Sequence, residues 1–411
     1  MKLLWILLLT VVMSTSVNAQ QILTLQQAVD EALKNNLGIR ASALEVESQR
    51  QLKKTSFDLP KTNVSLLYGQ YNSYAKNDNN ITVTQTIPLT VFGSKGSLNR
   101  ALITSSELKK TVTENELIFR VKEVFYELSY QMAMRDFLHQ QDSLYEGSLK
   151  AAALRYKTGE TSLLEHTTAE TQRNEVKNLL ARNEADQLII RSQLQTLLNR
   201  PDLPQITHAL IQEELSADVT LDTASIQSNP SMAYMRQQVE VAKSQKKVEA
   251  AGAAPDILLG FFSQTLIGVE DTEGSGAIAS TSDRFTGFQV GLAIPLWFVS
   301  YQGKVKAAEY NRQAAESNYQ YHQKSLQGQY QQAYQNYLKN KKNLAYYKES
   351  AMPNAALILK QSQVAFKNGE IGYVEYLLGV QRAITIKEEY VLSLKEYNQS
   401  IIYLEFLSGN K

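Results

Sequence analysis

The chain repeats itself. Arg155-Tyr-Lys-Thr-Gly-Glu160 returns 210 residues later as Ala365-Phe-Lys-Asn-Gly-Glu370, and Ile87-Pro88-Leu89 returns 207 residues later as Ile294-Pro295-Leu296. Gly96 and Gly303, and Ala101 and Ala308, keep the offset of 207. Landmarks held at a near-constant offset mean a duplicated unit of roughly half the chain. The order within each copy is the same: a short alternating stretch, Ile-Pro-Leu, a very long helical stretch, the Lys-x-Gly-Glu turn, and another long helical stretch.

Met1–Ala19 reads as a secretory leader, with Lys2 as its charged start, Leu3–Val12 as its apolar core and Val17-Asn18-Ala19 as a small-residue cleavage site. The apolar core is too short for a bilayer-spanning helix, which needs ~20 apolar residues. The alternative is an uncleaved anchor. The mature chain then starts at Gln20, and its two repeats occupy residues 20–220 and 221–411. Losing Lys2 takes 42 basic residues to 41, against 41 acidic. A net charge of zero argues against a nucleic-acid partner and a polybasic membrane patch. The chain has no cysteine, which excludes disulfides, thiolate metal sites and a lipid-modified anchor. No later segment offers ~20 apolar residues in a row. Secreted, periplasmic and outer-membrane β-barrel proteins remain.

Thr24-Leu-Gln-Gln27 is a capping-box start for a helix expected to run to about Lys54, with Pro60 blocking its continuation. Two β-like stretches follow, Thr62–Tyr71 and Ile81–Ile87. The second puts Ile81, Val83 and Ile87 on one face and Thr82, Thr84 and Thr86 on the other. From Ser94 to Lys157 there is no proline, and Val121, Phe125, Leu128 and Met132 keep 4-3-4 spacing. Roughly 60 helical residues would reach about 90 Å. A second long helix is expected from after Gly159 to about Asn199; the linker Arg200–Thr220 has no clear period.

The second copy opens at Asn229-Pro230, a cap followed by proline at the first helical position. Its strands are Asp256–Ile267 and the stretch around Phe288, Val290, Leu292, Ile294 and Leu296, separated by the Gly/Ser/Thr-rich Gly268–Asp283. Helices of about 65 residues, Gln302–Lys367, and from Gly372 to about Leu407 complete it. In the last one Tyr373, Leu377, Val380, Ile384, Val391, Leu394 and Ile401 form a 4/3 seam, with Lys387 and Asn398 filling two slots, as in coiled-coil packing.

Four strands per chain, about ten residues long where cleanest and apolar on one face, suit a tilted transmembrane barrel. A small soluble sheet packed on a helix is the plain alternative. Four strands cannot close, and an open edge cannot sit in lipid. Two chains would give eight strands, a barrel filled by its own side chains; three give twelve and an open lumen. A conduit therefore favours a homotrimer. The long helices are polar, above all in the Gln/Tyr/Lys-rich Asn318–Asn340. That suits a hollow helical cylinder wet on both sides, or else an ordinary exposed coiled coil.

In each Lys-x-Gly-Glu turn the glycine is suited to the left-handed position that ends a helix, and the lysine to its negative end. Lys157, Gly159, Lys367 and Gly369 thus mark two hairpin tips, where a partner could dock. Glu165 and Glu375 each lie six residues after the turn glycine. They are either helix caps or, in a trimer, six carboxylates at one height that form a cation-attracting pore constriction. His166 and Glu170 are four apart, but such pairs are common on helix surfaces. No phosphate loop, nucleophile elbow, dinucleotide fingerprint or metalloprotease motif occurs, so neither an enzyme nor a bound cofactor or metal is expected.

Taken together, the leader, the tandem repeat, the strand pairs ending near Ile-Pro-Leu and the Tyr/Phe-x-x-Gly tips resemble the TolC-type outer-membrane efflux proteins, or outer membrane factors. The resemblance covers essentially the whole mature chain. It implies a mainly α fold of long antiparallel helical hairpins with a transmembrane β-barrel, twelve-stranded in the trimer, and a helical tunnel in the periplasm. It also implies an outer-membrane location in a Gram-negative bacterium. The tips would meet a periplasmic adaptor (membrane fusion protein) coupled to an inner-membrane pump of the RND type. Glu375 falls where some members carry an acidic residue of the constriction; Leu378 stands where such members have a second. The Gln/Tyr-rich second half is similar to the branch that exports heavy-metal cations. A duct for protein secretion and a pore-less periplasmic coiled-coil scaffold are the rival readings.

Overall fold

A computed structural model describes residues 22–71, 73–207, 210–215, 223–270 and 276–409. The leader, His208, Ala209 and residues 216–222 lie outside the described residues. The chain divides into two compact units, described separately below.

The first unit comprises the described residues of Met1–Arg40, Thr113–Asn229 and Leu326–Lys411. It opens with β1 (Ile22–Leu23) and α1 (Leu25–Asn35). Thr24 caps α1 with both halves of the expected box: its hydroxyl accepts from Gln27 N, and Gln27 Oε1 accepts from Thr24 N. The expected single helix to Lys54 is broken at Asn36, whose backbone turns extended (ψ 130°) before α2 (Leu37–Leu52) begins. The Asn36 side chain makes the break stable. Its Oδ1 accepts from Gly38 N at 2.8 Å, and its Nδ2 donates to Leu197 O at 2.9 Å. Asparagine competes with the helix for backbone partners, and here it wins.

Two long helices follow, α3 (Leu89–Lys157) and α4 (Leu163–Leu198). The 4-3-4 series Val121, Phe125, Leu128 and Met132 is buried against Ala28, Val29 and Ala32 of α1 and Ile190, Leu194 and Leu198 of α4. After α4 the linker adds a strand the sequence did not suggest, β4 (Gln205–Ile206), parallel to β1. Polar side chains also pair α3 with α4: Asn183 donates to Gln131 Oε1 at 2.7 Å and accepts from Gln187 at 2.8 Å. Such buried amides lock helix register because each unmet partner would carry a desolvation penalty.

The second unit comprises Ala41–Val112 and Pro230–Ser325. Besides α5 (Pro230–Ala251) it carries the four expected strands, two before that helix and two after: β2 (Asn63–Tyr68), β3 (Asn79–Ile87), β5 (Asp256–Gln264) and β6 (Phe285–Ala293). They form one antiparallel sheet in the order β2-β3-β5-β6. The Ile294–Leu296 segment, expected to prolong the last strand, lies beyond it, since Pro295 cannot donate to a ladder. The register places Val64, Leu66, Tyr68, Ile81, Val83, Ile87, Ile257, Leu259, Phe261, Phe288, Val290 and Leu292 on one face. The other face carries Ser65, Thr82, Thr84, Thr86, Gly260, Gly287, Gln289 and Gly291, with Leu67, Leu258, Phe262 and Phe285 as its apolar members. The apolar face is uncovered: Phe288 is 86% exposed and Val290 77%. Beyond it Trp297 is also exposed. Among the described residues, β2 and β6 each have one edge without a strand partner.

The expected helix Gln302–Lys367 is two helices, α6 (Phe298–Tyr346) and α7 (Met352–Lys367), joined by a wider π turn at Tyr347–Ala351. Pro353 explains it. Proline lacks the N–H an α-turn needs, and its ring clashes with the carbonyl four residues back, so the preceding turn opens. The last helix, α8 (Tyr373–Ser408), packs closely on α7. Ala355 and Ala383 are fully buried where they meet, and a Cβ on Gly379 would lie within 2.1 Å of Ser362 Oγ. The expected seam is largely internal, with Val380, Leu394 and Ile401 buried, and Tyr337 of α6 packs on Tyr397 at 5.8 Å. Asn398, the polar residue in that seam, is wholly buried. It donates to Ile211 O at 2.8 Å and accepts from Glu213 N at 3.0 Å, holding the linker segment 210–215. No described helix is long and apolar enough to cross a membrane.

Candidate functional site: the paired hairpin tips

Both turns close the same way. Gly159 (φ 75°) and Gly369 (φ 77°) adopt the left-handed conformation. Glu160 N donates to Arg155 O and Glu370 N to Ala365 O, each at 2.8 Å, and the glycine N–H groups reach Tyr156 O and Phe366 O at 3.1 Å. This six-residue closure satisfies the last carbonyls of α3 and α7. Lys157, Gly159, Lys367 and Gly369 are all exposed. Gly159→Ala and Gly369→Ala should each cost ~1–2 kcal/mol, because a Cβ strains the left-handed backbone. The check is a rise in protease cleavage at the altered turn, with Gly147→Ala, in ordinary helical backbone, leaving cleavage unchanged.

The two carboxylates after the turns differ. Ser162 caps α4 by accepting from Glu165 N at 3.3 Å. A full capping box does not form there, since the Glu165 carboxylate turns to Arg155 Nη1 (3.2 Å) and the Thr161 hydroxyl instead. Its side chain is only 14% exposed. Glu375 is exposed, and its Oε2 accepts from Gly372 N at 3.2 Å, which caps α8. The difference traces to two positions: the first copy has Arg155 and Thr161 where the second has Ala365 and Ile371.

The tips also meet each other. The Arg155 guanidinium sits 5.7 Å over the Phe366 ring. Phe366 stacks on Tyr376 at 4.6 Å. Tyr373 and Tyr376 are buried with Tyr145 and Ala152 of α3 and Ala169 and Val176 of α4. Burial, helped by the nearby Glu165 charge, pushes the Tyr373 hydroxyl up to about 12. Sequence reasoning missed Arg155, Phe366, Tyr373 and Tyr376 as the groups joining the hairpins. The usable signal was the Arg155/Ala365 mismatch in an otherwise repeated motif. It also passed over the exposed apolar residues beside the turns: Leu163 and Leu164 in the first copy, Val374 and Leu378 in the second. His166 stacks on Tyr156 at 5.8 Å. Among the described residues no group of three or more His, Cys, Asp or Glu is placed to hold a metal ion.

This geometry, duplicated helical hairpins with matching tips and a sheet bearing a bare apolar face, can be set against known proteins. The sequence profile of the outer membrane efflux proteins matches residues 28–200 and again residues 223–410. The chain belongs to the outer membrane efflux protein family. Among solved structures it is similar to the channel protein CusC, at 15% identity and a TM-score of 0.78 over 96% of this chain and 93% of that one. VceC of Vibrio cholerae gives 13% and 0.75, over 94% and 96%. The open-state channel MtrE of Neisseria gonorrhoeae gives 16% and 0.71, over 94% and 88%. No curated protein matches the chain. The efflux-family fold expected from the sequence, mainly helical with four long strands, is the fold found. As a member of this family the chain is an outer-membrane efflux channel, with its helices on the periplasmic side.

Proposed function

We propose that three copies of this chain close a twelve-stranded barrel and a helical tunnel, forming the export duct of a tripartite pump. One observation carries the reading: the sheet exposes an apolar face and, among the described residues, β2 and β6 each have one edge without a strand partner. In lipid an open edge is prohibitively costly, so the edges must pair with other copies, and twelve strands leave a lumen. The polar, glycine-rich face then lines the bore, and Trp297 sits at the membrane boundary as aromatic belts do. The two repeats, residues 20–220 and 221–411, would supply six similar tips per trimer. Lys157, Gly159, Lys367 and Gly369, with the exposed leucines and valine beside them, are the surface offered to a periplasmic adaptor coupled to an RND-type inner-membrane pump. Small cations, heavy-metal ions included, are the cargo favoured by an exposed Glu375 at each second tip. The test is crosslinking of outer-membrane fractions. A trimer there supports the duct; a soluble, non-trimeric protein would sink it in favour of a periplasmic scaffold.

In this reading the two candidate pore carboxylates have unequal roles. Glu375→Gln should reduce cation selectivity in planar bilayers severalfold, since its carboxylate faces solvent. Glu165→Gln should leave selectivity nearly unchanged and instead loosen the first tip by unpairing Arg155. Equal loss of selectivity in both variants would contradict this division.

A further inference from the structure

The neutral mature chain conceals a segregation of charge between the two ends of the sheet. The strand register brings Asn63, Ile87, Asp256 and Ala293 to one end, the foot, where the strands join the helical segments. Contacts fix which segments lie together there. Phe57 packs on Phe92 at 5.4 Å, Asn99 donates to Ser56 Oγ at 3.0 Å, and Thr90 donates to Ala251 O at 3.1 Å. The segments adjoining the foot, 51–62, 88–100, 244–255 and 294–306, hold nine basic residues against two acidic ones, Asp58 and Glu249. The loops at the opposite end, 69–78 and 265–284, hold two basic residues against five acidic. A polybasic patch, which the whole-chain charge argued against, is therefore present at one end of the sheet.

The order of groups at the foot narrows the partner. The apolar face of the sheet comes first, and Phe57, Trp297, Phe298 and Val299 follow it, all exposed. The cations come next. Lys61, Lys247, Lys304 and Lys306 are exposed, and among the described residues none of them forms an ion pair. By helical rise Lys247 lies about 6 Å inside the end of α5, and Lys304 and Lys306 about 9 and 12 Å inside the start of α6. A headgroup layer is about 5–7 Å thick. Lysine stems lie along apolar surface and hold their ammonium groups in such a layer. Hydrocarbon, aromatic boundary, then cation is the sequence of groups that a bilayer edge ending in phosphates would meet. The cations are spread over four segments, which suits a layer of mobile anions better than one discrete ligand. We propose that the foot of the sheet binds the phosphate groups of anionic phospholipids in the leaflet facing the periplasm. This rests on the duct reading, in which the apolar face meets lipid.

The purified full-length protein is reconstituted into phosphatidylcholine bilayers doped with spin-labelled phosphatidylglycerol or spin-labelled phosphatidylcholine. Electron spin resonance reads how much of each label the protein immobilises. A lysine near an anionic surface contributes about fivefold in affinity, so the anionic label should be preferred at least about threefold. Raising the salt from about 0.1 M to about 1 M shortens the screening length to ~3 Å and should bring the preference toward parity. Lys61→Gln, Lys247→Gln, Lys304→Gln and Lys306→Gln together should cut it below about 1.5-fold, since the exposed ammonium groups carry it. Lys34→Gln with Lys177→Gln, exposed lysines of the first unit, should leave it unchanged. Absence of any preference in the unaltered protein overturns the proposal, and is the result expected if an acidic protein or glycan is the true partner. So does a preference that survives the four substitutions, or one that falls equally with the Lys34 and Lys177 changes. A crosslinkable trimer in the bilayer without lipid preference overturns this proposal alone. A chain that stays out of the bilayer overturns the duct reading and this proposal with it.

Discussion

Replacing Val290 with arginine is expected to empty the outer membrane of assembled protein. Val290 lies near the middle of β6, paired with Leu259 on the apolar face, and is 77% exposed. If that face meets lipid, arginine at the bilayer midplane costs ~2–4 kcal/mol, and a trimer incurs it three times. The preceding residue, Gln289, points to the opposite face, toward Gly260. Gln289→Arg should therefore assemble within about twofold of the unaltered protein, since water-lined bores tolerate charge. The measurement is the amount of crosslinkable trimer in outer-membrane fractions. Equal tolerance of both arginines would mean the apolar face does not meet lipid.

Asn398→Ala should be the most damaging truncation in the helical unit. Asn398 is wholly buried in α8 and holds both Ile211 O and Glu213 N. Alanine leaves a gap and two backbone groups of segment 210–215 without their amide partner. Each unmet group carries ~1–3 kcal/mol, so a total loss of about 2–6 kcal/mol is expected. Limited proteolysis reads it directly, as new cleavage around Ile211. Asn398→Asp keeps the acceptor for Glu213 N but turns a donor into a charge facing Ile211 O, and should be no better than alanine. If cleavage stays unchanged in both, something other than Asn398 secures the segment.

Both substitutions sit where the sequence could be read, and the reasons differ. Val290 stood out because strand alternation is a local signal, visible within ten residues. Asn398 appeared as a polar intruder in an apolar seam, but its partners lie more than 180 residues away, and no local pattern names them. The 4-3-4 series from Val121 to Met132 was legible because burial itself follows helical periodicity. The break at Asn36 was not, since asparagine is compatible with a helix until its side chain finds Gly38 N and Leu197 O. The helix read straight through Tyr347–Ala351 although Pro353 was in plain view, because apolar and polar spacing continues on both sides of the turn. At the tips, the left-handed glycines were readable from motif chemistry alone. The fate of Glu165 was not, because it depends on Arg155 across the turn.

The π turn has an arithmetic of its own. Gly159 follows Pro88 by 71 residues, whereas Gly369 follows Pro295 by 74. All three extra residues enter after Ala101 and Ala308, which still lie 207 apart, and so fall within the long helices themselves. One of them is absorbed where the backbone widens at Tyr347–Ala351, since a π turn holds one residue more than an α turn without lengthening the helix by a full step. The second repeat thus carries an insertion of which one residue is taken up locally without a phase error. Deleting one residue within Tyr347–Ala351 together with Pro353→Ala would restore an ordinary helix with the same reach. Deleting one residue elsewhere in α7 would instead rotate the tip by about 100°, the angle of a single helical residue.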